Sequence, residues 1–197
     1  MGEKNKSYKH KIVILTGQSS SGKSTIEEKL ARNKFHRIIT YTTRPPRDNE
    51  KDGIDYNFVS YDTFMDMVTN GHIIEHRTYN TVYGNWYYGS SDLNIDLSKH
   101  DYVIVLTFDG VEAFVNHFGA ENCIIFYIDC PKHIREARAK ERPNFNEKEW
   151  QRRLITDKQD FSLDRIIKYA NFKIANYDKP LYDVIEEILK DIKIWKS

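Results

Sequence analysis

The chain has 197 residues, 40% of them hydrophobic and 30% charged, and its 30 Lys and Arg against 29 Asp and Glu leave a formal net charge of +1. That composition excludes a disordered or collagen-like chain, and the near balance of charge excludes a general nucleic-acid-binding surface, so any phosphate binding has to be local. A single domain of this size buries roughly 70% of the surface its unfolded chain exposes, so its core needs neither a disulfide nor a structural metal.

The N-terminal stretch MGEKNKSYKHK is polar and runs into an apolar segment, Ile12 to Leu15, too short for a signal-peptide core or a membrane span. Lys6 stands where a myristoylation signal after Gly2 needs Ser or Thr, so neither export nor lipid anchoring is expected. Short β-branched runs predict strands at Ile12–Thr16, His36–Ile39, Tyr102–Thr107, Cys123–Ile128 and Phe172–Ala175. Helical patterns lie between them at Ser24–Asn33, Val111–Phe118, Lys132–Glu141 and Glu147 to about Tyr169. A last helix is predicted with Asp178 as its cap, Pro180 in its first turn, and an apolar stripe through Leu181, Val184, Ile185, Ile188, Leu189 and Ile192. Strands alternating with helices predict a mostly parallel sheet covered on both faces.

The rhythm breaks between Tyr41 and about Leu97. There, aromatic β-rich runs (Tyr56–Val59, Ile73–His76, Trp86–Tyr88) surround a helical pattern, Tyr61–Asn70, as expected of a small inserted subdomain. A second irregular piece, Arg142–Asn146, reads as a mobile lid. Cys123 and Cys130 flank an apolar run and are expected at a strand on the edge of the core, unbridged, in a reducing cytosol; a cytoplasmic location follows. The seven histidines show no metal-ligand spacing, and most of the 13 Tyr and 10 Phe fall on apolar faces.

The most specific chemical signal is Gly17-Gln18-Ser19-Ser20-Ser21-Gly22-Lys23-Ser24, a G-x-x-x-x-G-K-[ST] loop between a predicted strand and a predicted helix. Glycines allow the backbone to wrap closely round a phosphate chain, and successive N–H groups and the helix N-terminus point at it. Lys23 is expected to bridge the β- and γ-phosphates, and the Ser24 hydroxyl to bind Mg²⁺. The next signal is Thr40-Tyr41-Thr42-Thr43-Arg44-Pro45-Pro46-Arg47, followed by Glu50, Gly53, Asp55 and Tyr56. Its prolines hold the segment extended, so Arg44 and Arg47 are free to converge on one dianion with bidentate guanidinium contacts.

TTRPPRDNEKDGIDYNFVS, preceded by GQSSSGKS and followed by IIEH and YYGSS, resembles the guanylate kinase family over about Ile12 to Asn176. The resemblance implies an α/β fold of the P-loop NTPase type: a mostly parallel sheet flanked by helices, with an inserted mixed α+β NMP-binding subdomain and a short lid. One domain would then span 1–197, with its core at about 8–39, 98–137 and 154–197, the insert at about 40–97 and the lid at about 138–153. The implied activity is transfer of the γ-phosphoryl of MgATP to GMP or dGMP, with Mg²⁺ as cofactor.

The same resemblance assigns ATP to Gly17, Ser19, Ser20, Ser21, Gly22, Lys23, Ser24, Thr25 and Asn176, and the metal to Ser24. It assigns the acceptor phosphate to Arg44, Arg47, Tyr56 and Tyr88, and the guanine to Thr40, Glu75, Ser90 and Asp109. Catalysis falls to Lys23, Arg44, Arg138, Arg142 and Arg153, whose charges would neutralise the transferring phosphoryl group. Arg138 and Arg142 are expected on one helix face and Arg153 on the next helix. Glu75 and Asp109 suit guanine, which presents N1–H and an N2 amino group as donors where adenine has no donor at N1. ATP and GMP are the expected partners of a monomer or homodimer, without nucleic acid or membrane.

This chain departs from the family pattern at Thr107, where a carboxylate is usual, and at Asn49, where a glycine is usual. The segment between Glu75 and Tyr88 is longer and more polar, and a stretch after Asp109 is shorter. Two alternatives remain at the level of sequence. A kinase of a sugar phosphate such as ribose 1,5-bisphosphate would have no use for a donor-reading carboxylate pair. A non-catalytic binding module would not need Gly22-Lys23-Ser24 intact.

Overall fold

The computed structural model describes residues 8–48, 50–81, 84–143 and 145–197. Asn49, Asn144, residues 82–83 and residues 1–7, on which some of the expectations above fall, lie outside the described residues. In chain order the elements are β1 (Ile12–Thr16), α1 (Lys23–Ala31), β2 (His36–Arg37), β3 (Tyr41–Thr42), β4 (Asn57–Phe58), α2 (Tyr61–Thr69), β5 (Ile73–Thr81) and β6 (Gly84–Ser91). They continue with β7 (Tyr102–Val105), α3 (Phe108–Phe118), β8 (Cys123–Asp129), α4 (Lys132–Lys140), α5 (Glu147–Asp160), α6 (Leu163–Tyr169), β9 (Phe172–Ala175) and α7 (Leu181–Lys196).

Five strands form one parallel sheet in the order β2-β7-β1-β8-β9, with Ile12 in register with Tyr102 on one side and Cys123 on the other. Strand side chains alternate between faces. Val13, Leu15, Ile124, Phe126 and Ile128 therefore pack with Ile26 and Leu30 of α1 and Val184, Ile185 and Ile188 of α7. The opposite face sends Ile12, Ile14, Ile104 and Ile125 against Phe108, Val111 and Phe114 of α3. β1 is buried at every position, which is why it reads as an unbroken apolar run rather than an alternating one. Burying each such side chain contributes roughly 1.5–3 kcal/mol, so this two-faced sheet is the rigid platform of the molecule.

The insert is built differently. Its four-stranded mixed sheet, in the order β4-β3-β6-β5, is dominated by the long β5–β6 hairpin, with Glu75 opposite Ser90 and Arg77 opposite Tyr88. Helix α2 covers it with an apolar stripe whose buried members are Phe64 and Met67, and its N-terminus is capped by the Ser60 hydroxyl, which accepts from Thr63 N–H at 3.1 Å.

Several expectations need correction. The helical pattern from Glu147 to Tyr169 is two helices, because Phe161 turns inward to pack on Phe108 and Tyr127 and the chain restarts at Ser162. Asp178 does not cap the last helix: Pro180, extended at ψ 148°, holds the N-cap position without any side-chain cap bond. Helix α4 stops at Lys140, so Arg142 lies beyond its end and does not share a helical face with Arg138. Helix α3 begins at Phe108, and Thr107, expected as the end of a strand, is its N-cap residue. Strand β2 is confined to His36–Arg37. Cys123 and Cys130 are unbridged and buried, as expected, although β8 is flanked by β1 and β9 and is not an edge strand.

Candidate active site

At the carboxyl end of β1 the chain turns through the Gly17–Ser24 loop into α1. A Cβ on Gly17 would stand 2.6 Å from the Ile128 carbonyl oxygen, and one on Gly22, at φ +98°, would stand 2.3 Å from Asn176 Nδ2. Both positions therefore exclude any side chain, and Ser20 adds a further left-handed residue at φ 61°. Such a left-handed turn opening a helix turns backbone N–H groups inward as an anion nest. Lys23 Nζ folds back over the loop, donating to the Gln18 carbonyl at 2.9 Å, with Ser21 Oγ at 3.5 Å. Desolvation lowers its pKa to about 8; Asp157 works against that shift, while Arg135, Arg142 and Arg153 add to it. A polyanion arriving there would reverse the trend and hold Lys23 charged. Ser24 and Thr25 are exposed on the first turn of α1.

The loop is clasped from outside. Asn176, at the end of β9, donates from Nδ2 to the Ser21 carbonyl at 2.7 Å, and its own carbonyl accepts from Arg138 Nη2 at 2.9 Å. Arg138 Nη1 approaches the Ser21 carbonyl at 3.4 Å. Both side chains were expected on ATP or its phosphates; here they fix the loop.

Facing Lys23 is a cleft of about 720 Å³ whose other wall comes from the insert: Thr40, Arg47, Tyr56, Glu75, Arg77 and Tyr88, with Arg152, Arg153 and Asp157 of α5 along its side. Because β-strand side chains repeat every second residue, Glu75, Arg77 and Tyr79 of β5 share one face with Tyr88 and Ser90 of β6, and this face lines the cleft. Glu75 Oε1 accepts from the buried Ser90 hydroxyl at 2.7 Å, and burial raises its pKa despite that bond.

Arg44 sits behind this wall, only 4% exposed. Its Nη2 donates to Glu50 Oε1 at 2.8 Å, its Nε to the Tyr88 hydroxyl at 3.0 Å and its Nη1 to the Pro45 carbonyl at 2.8 Å, while its guanidinium lies 5.5 Å from the Tyr56 ring centroid. Arg44 thus holds Tyr56 and Tyr88, and Glu50 also accepts from Arg47 N–H at 2.9 Å, which orders the segment between the arginines. The Arg44 bond holds Glu50 below the usual carboxylate range, and burial raises Tyr56.

The structure gathers Gly17, Ser19, Lys23, Thr40, Arg47, Tyr56, Glu75, Tyr88 and Arg153 at one cleft and sets Arg44, Ser90, Arg138 and Asn176 behind its walls. Asp109 is exposed and bound by two arginines: Arg165, whose bond is the main cause of its lowered pKa, and Arg77, whose Nη2 donates to it at 3.1 Å. The same Arg77 nitrogen donates to Thr107 Oγ1 at 2.7 Å, so an arginine charge stands beside the position where the family carries a carboxylate. Arg142 is exposed past α4. Sequence reasoning missed Arg77, Arg135 and Asp157; only the polar character of the long hairpin pointed toward the first of them.

A phosphate-cradling loop at the carboxyl edge of a parallel sheet, facing an inserted mixed sheet across a cleft, defines a P-loop nucleoside monophosphate kinase fold. The family model described as guanylate kinase matches residues 9–190. A guanylate kinase of Prochlorococcus marinus subsp. pastoris is 32% identical over 95% of this chain and 97% of its own length, and one of Anaplasma phagocytophilum is 28% identical over 91% and 80%. The crystal structure of guanylate kinase from Anaplasma phagocytophilum superposes with a TM-score of 0.62 at 23% identity, covering 97% of this chain and 88% of that one. The chain belongs to the guanylate kinase family.

Proposed function

We infer that this protein is an ATP:GMP phosphotransferase. A terminal oxygen of the GMP phosphate attacks the γ-phosphorus of ATP, the bond from that phosphorus to the β,γ-bridging oxygen breaks, and GDP and ADP leave. The observation that carries this reading is the pairing, across one cleft, of Lys23 on the phosphate loop with half-buried Glu75, backed by the buried Ser90, on the insert. Glu75 is suited to accept guanine N1–H and N2–H. Arg47, Tyr56 and Tyr88 offer donors to the acceptor phosphate, Tyr88 and Tyr56 being held by Arg44.

Ser24, exposed on the first helical turn beside Lys23, fits Mg²⁺, which binds through few protein oxygens together with phosphates and water. When bound, Mg²⁺ would neutralise charge on the β- and γ-phosphates. Arg153, at the cleft, is the arginine best placed to share that task. Arg142 requires the lid, about 138–153, to close.

Phosphoryl transfer has to exclude water, and the insert, about 40–97, packs far fewer large apolar side chains than the core, so closure over the cleft falls to these two segments. A smaller radius of gyration in small-angle scattering with a bisubstrate analogue is expected; an unchanged radius opposes closure. The reading also places the enzyme in the cytoplasm as a monomer or homodimer acting on free nucleotides; among the described residues no helix is long and apolar enough to cross a membrane. Incubation with MgATP labelled on its γ-phosphate tests the function: the label should appear on the β-phosphate of GDP, and label found only as inorganic phosphate refutes the assignment.

Glu75 gives the reaction a pH signature. Its pKa is raised, so on acidification it takes a proton before ordinary glutamates do and loses its capacity to accept from guanine. The KM for GMP should rise on acidification at a pH above that of an ordinary glutamate, over and above the dependence left in Glu75→Gln, whose KM is high throughout. A KM for GMP whose pH dependence is the same in the parent and in Glu75→Gln contradicts the role.

A further inference from the structure

Ser19, the third residue of the phosphate loop, does not have free donors. Its N–H donates to Asp157 Oδ2 at 2.8 Å and its hydroxyl to Asp157 Oδ1 at 3.0 Å, so one carboxylate takes both. Asp157 is on α5, which follows the irregular segment after α4, and is only 6% exposed. Behind it lies Arg135 of α4, 3% exposed, whose Nη1 reaches Asp157 Oδ2 at 3.4 Å and the Ser19 carbonyl at 3.2 Å while its Nε donates to the Cys130 carbonyl at 3.0 Å. Two buried, opposite charges thus hold the N–H, hydroxyl and carbonyl of one loop residue. An exposed ion pair would carry little weight, but here each partner left alone would be an uncompensated buried charge.

We propose that Asp157 is a positioning residue for the donor nucleotide: it fixes the Ser19 end of the phosphate loop to α5, so that the loop's shape and the place of Arg153 are set together. Arg153 is one helical turn before Asp157, hence on the same face, and both line the cleft. With Asp157 bonded to the loop, Arg153 rides with the phosphate site, and any lid movement is confined to the part of the segment about 138–153 that precedes it. The Ser19 N–H then serves to hold the loop open to phosphate and is not itself a phosphate donor. Misplacing a phosphate-binding backbone by even an ångström is costly to transfer, which is how a residue without substrate contact acts on the rate.

The inference rests on the reading that this loop binds ATP. Its test is steady-state kinetics with each substrate varied in turn, for Asp157→Ala, Asp157→Asn and Asp157→Glu, with thermal unfolding measured alongside. Asp157→Ala should raise the KM for ATP about tenfold or more and leave the KM for GMP within about twofold. Asn keeps the geometry, since its oxygen can accept from Ser19 N–H while its amide donates to the Ser19 hydroxyl, and should restore the KM for ATP to within about threefold of the parent, though at a lowered melting temperature because Arg135 loses its counter-charge. Glu keeps the charge but moves the oxygens, and should behave like Ala. If Asp157→Ala does not fold, the contrast of Asn with Glu decides. An unchanged KM for ATP in Ala and Glu, equal losses for both substrates that track the fall in melting temperature, or rescue by Glu and not by Asn would each overturn the proposal. A parent that turns over no ATP would instead sink the donor reading itself.

Discussion

Lys23→Ala is expected to lower ADP formation by on the order of a hundredfold or more while the protein stays folded. The side chain is half-buried and its contacts are polar, to the Gln18 carbonyl and Ser21 Oγ, so its loss removes no apolar packing. What it removes is the cation that meets the β- and γ-phosphates where charge shifts during transfer. That charge is hard to replace from nearby: Arg138 is committed to the Ser21 and Asn176 carbonyls and Arg135 to Ser19 and Asp157. Turnover measured beside far-ultraviolet circular dichroism checks this; a folded variant with parental turnover would contradict the role given to the loop.

Arg44→Ala is expected to act first on stability and only through it on the acceptor. Removing one partner of a fully buried ion pair costs about 3–5 kcal/mol, and less here because water reaches Glu50, against a net stability of roughly 5–15 kcal/mol for a whole domain. Arg44 is the buried member of its pair, bonded to Glu50, Tyr88 and Pro45 and near the Tyr56 and Phe58 rings. The variant should show a large fall in melting temperature and a raised KM for GMP. Arg47→Ala, altering an exposed side chain at the cleft, should raise the KM for GMP with the melting temperature nearly unchanged. Equal melting temperatures for both variants would mean that Arg44 is not structural.

That contrast marks how far the sequence was legible. The phosphate loop could be read because its conformation is set by residues adjacent in the chain, and Gly17, Gly22 and Lys23 stand where the motif requires them. The parallel strands were legible because burial on both faces leaves unbroken β-branched runs such as Ile12 to Leu15. The break between α5 and α6 was hidden because Phe161 continues the helical spacing, and only packing on Phe108 and Tyr127 turns it out of the helix. Arg44 and Arg47 look alike in sequence, yet one is buried and the other exposed, since Glu50 and Tyr88 claim only the first guanidinium. Asp157 and Arg77 act on partners 138 and 30 residues away, Ser19 and Thr107, and no local pattern announces a contact of that range. Asn176 illustrates the converse: the resemblance assigns it to ATP, and nothing in the sequence announces the bond from its amide to the Ser21 carbonyl.

The most direct measurement of the central claim is a coupled assay of ADP formation with MgATP and, in parallel, GMP, dGMP, AMP, UMP and ribose 1,5-bisphosphate, for the parent and for Glu75→Gln. The parent should use GMP with a kcat/KM at least about a hundredfold above that for AMP, because a half-buried acceptor that the bound base covers rejects a base that leaves it unpaired. Glu75→Gln should lose most of that preference. Equal use of AMP and GMP, or a preference for the sugar phosphate unaffected by Glu75→Gln, would contradict the account.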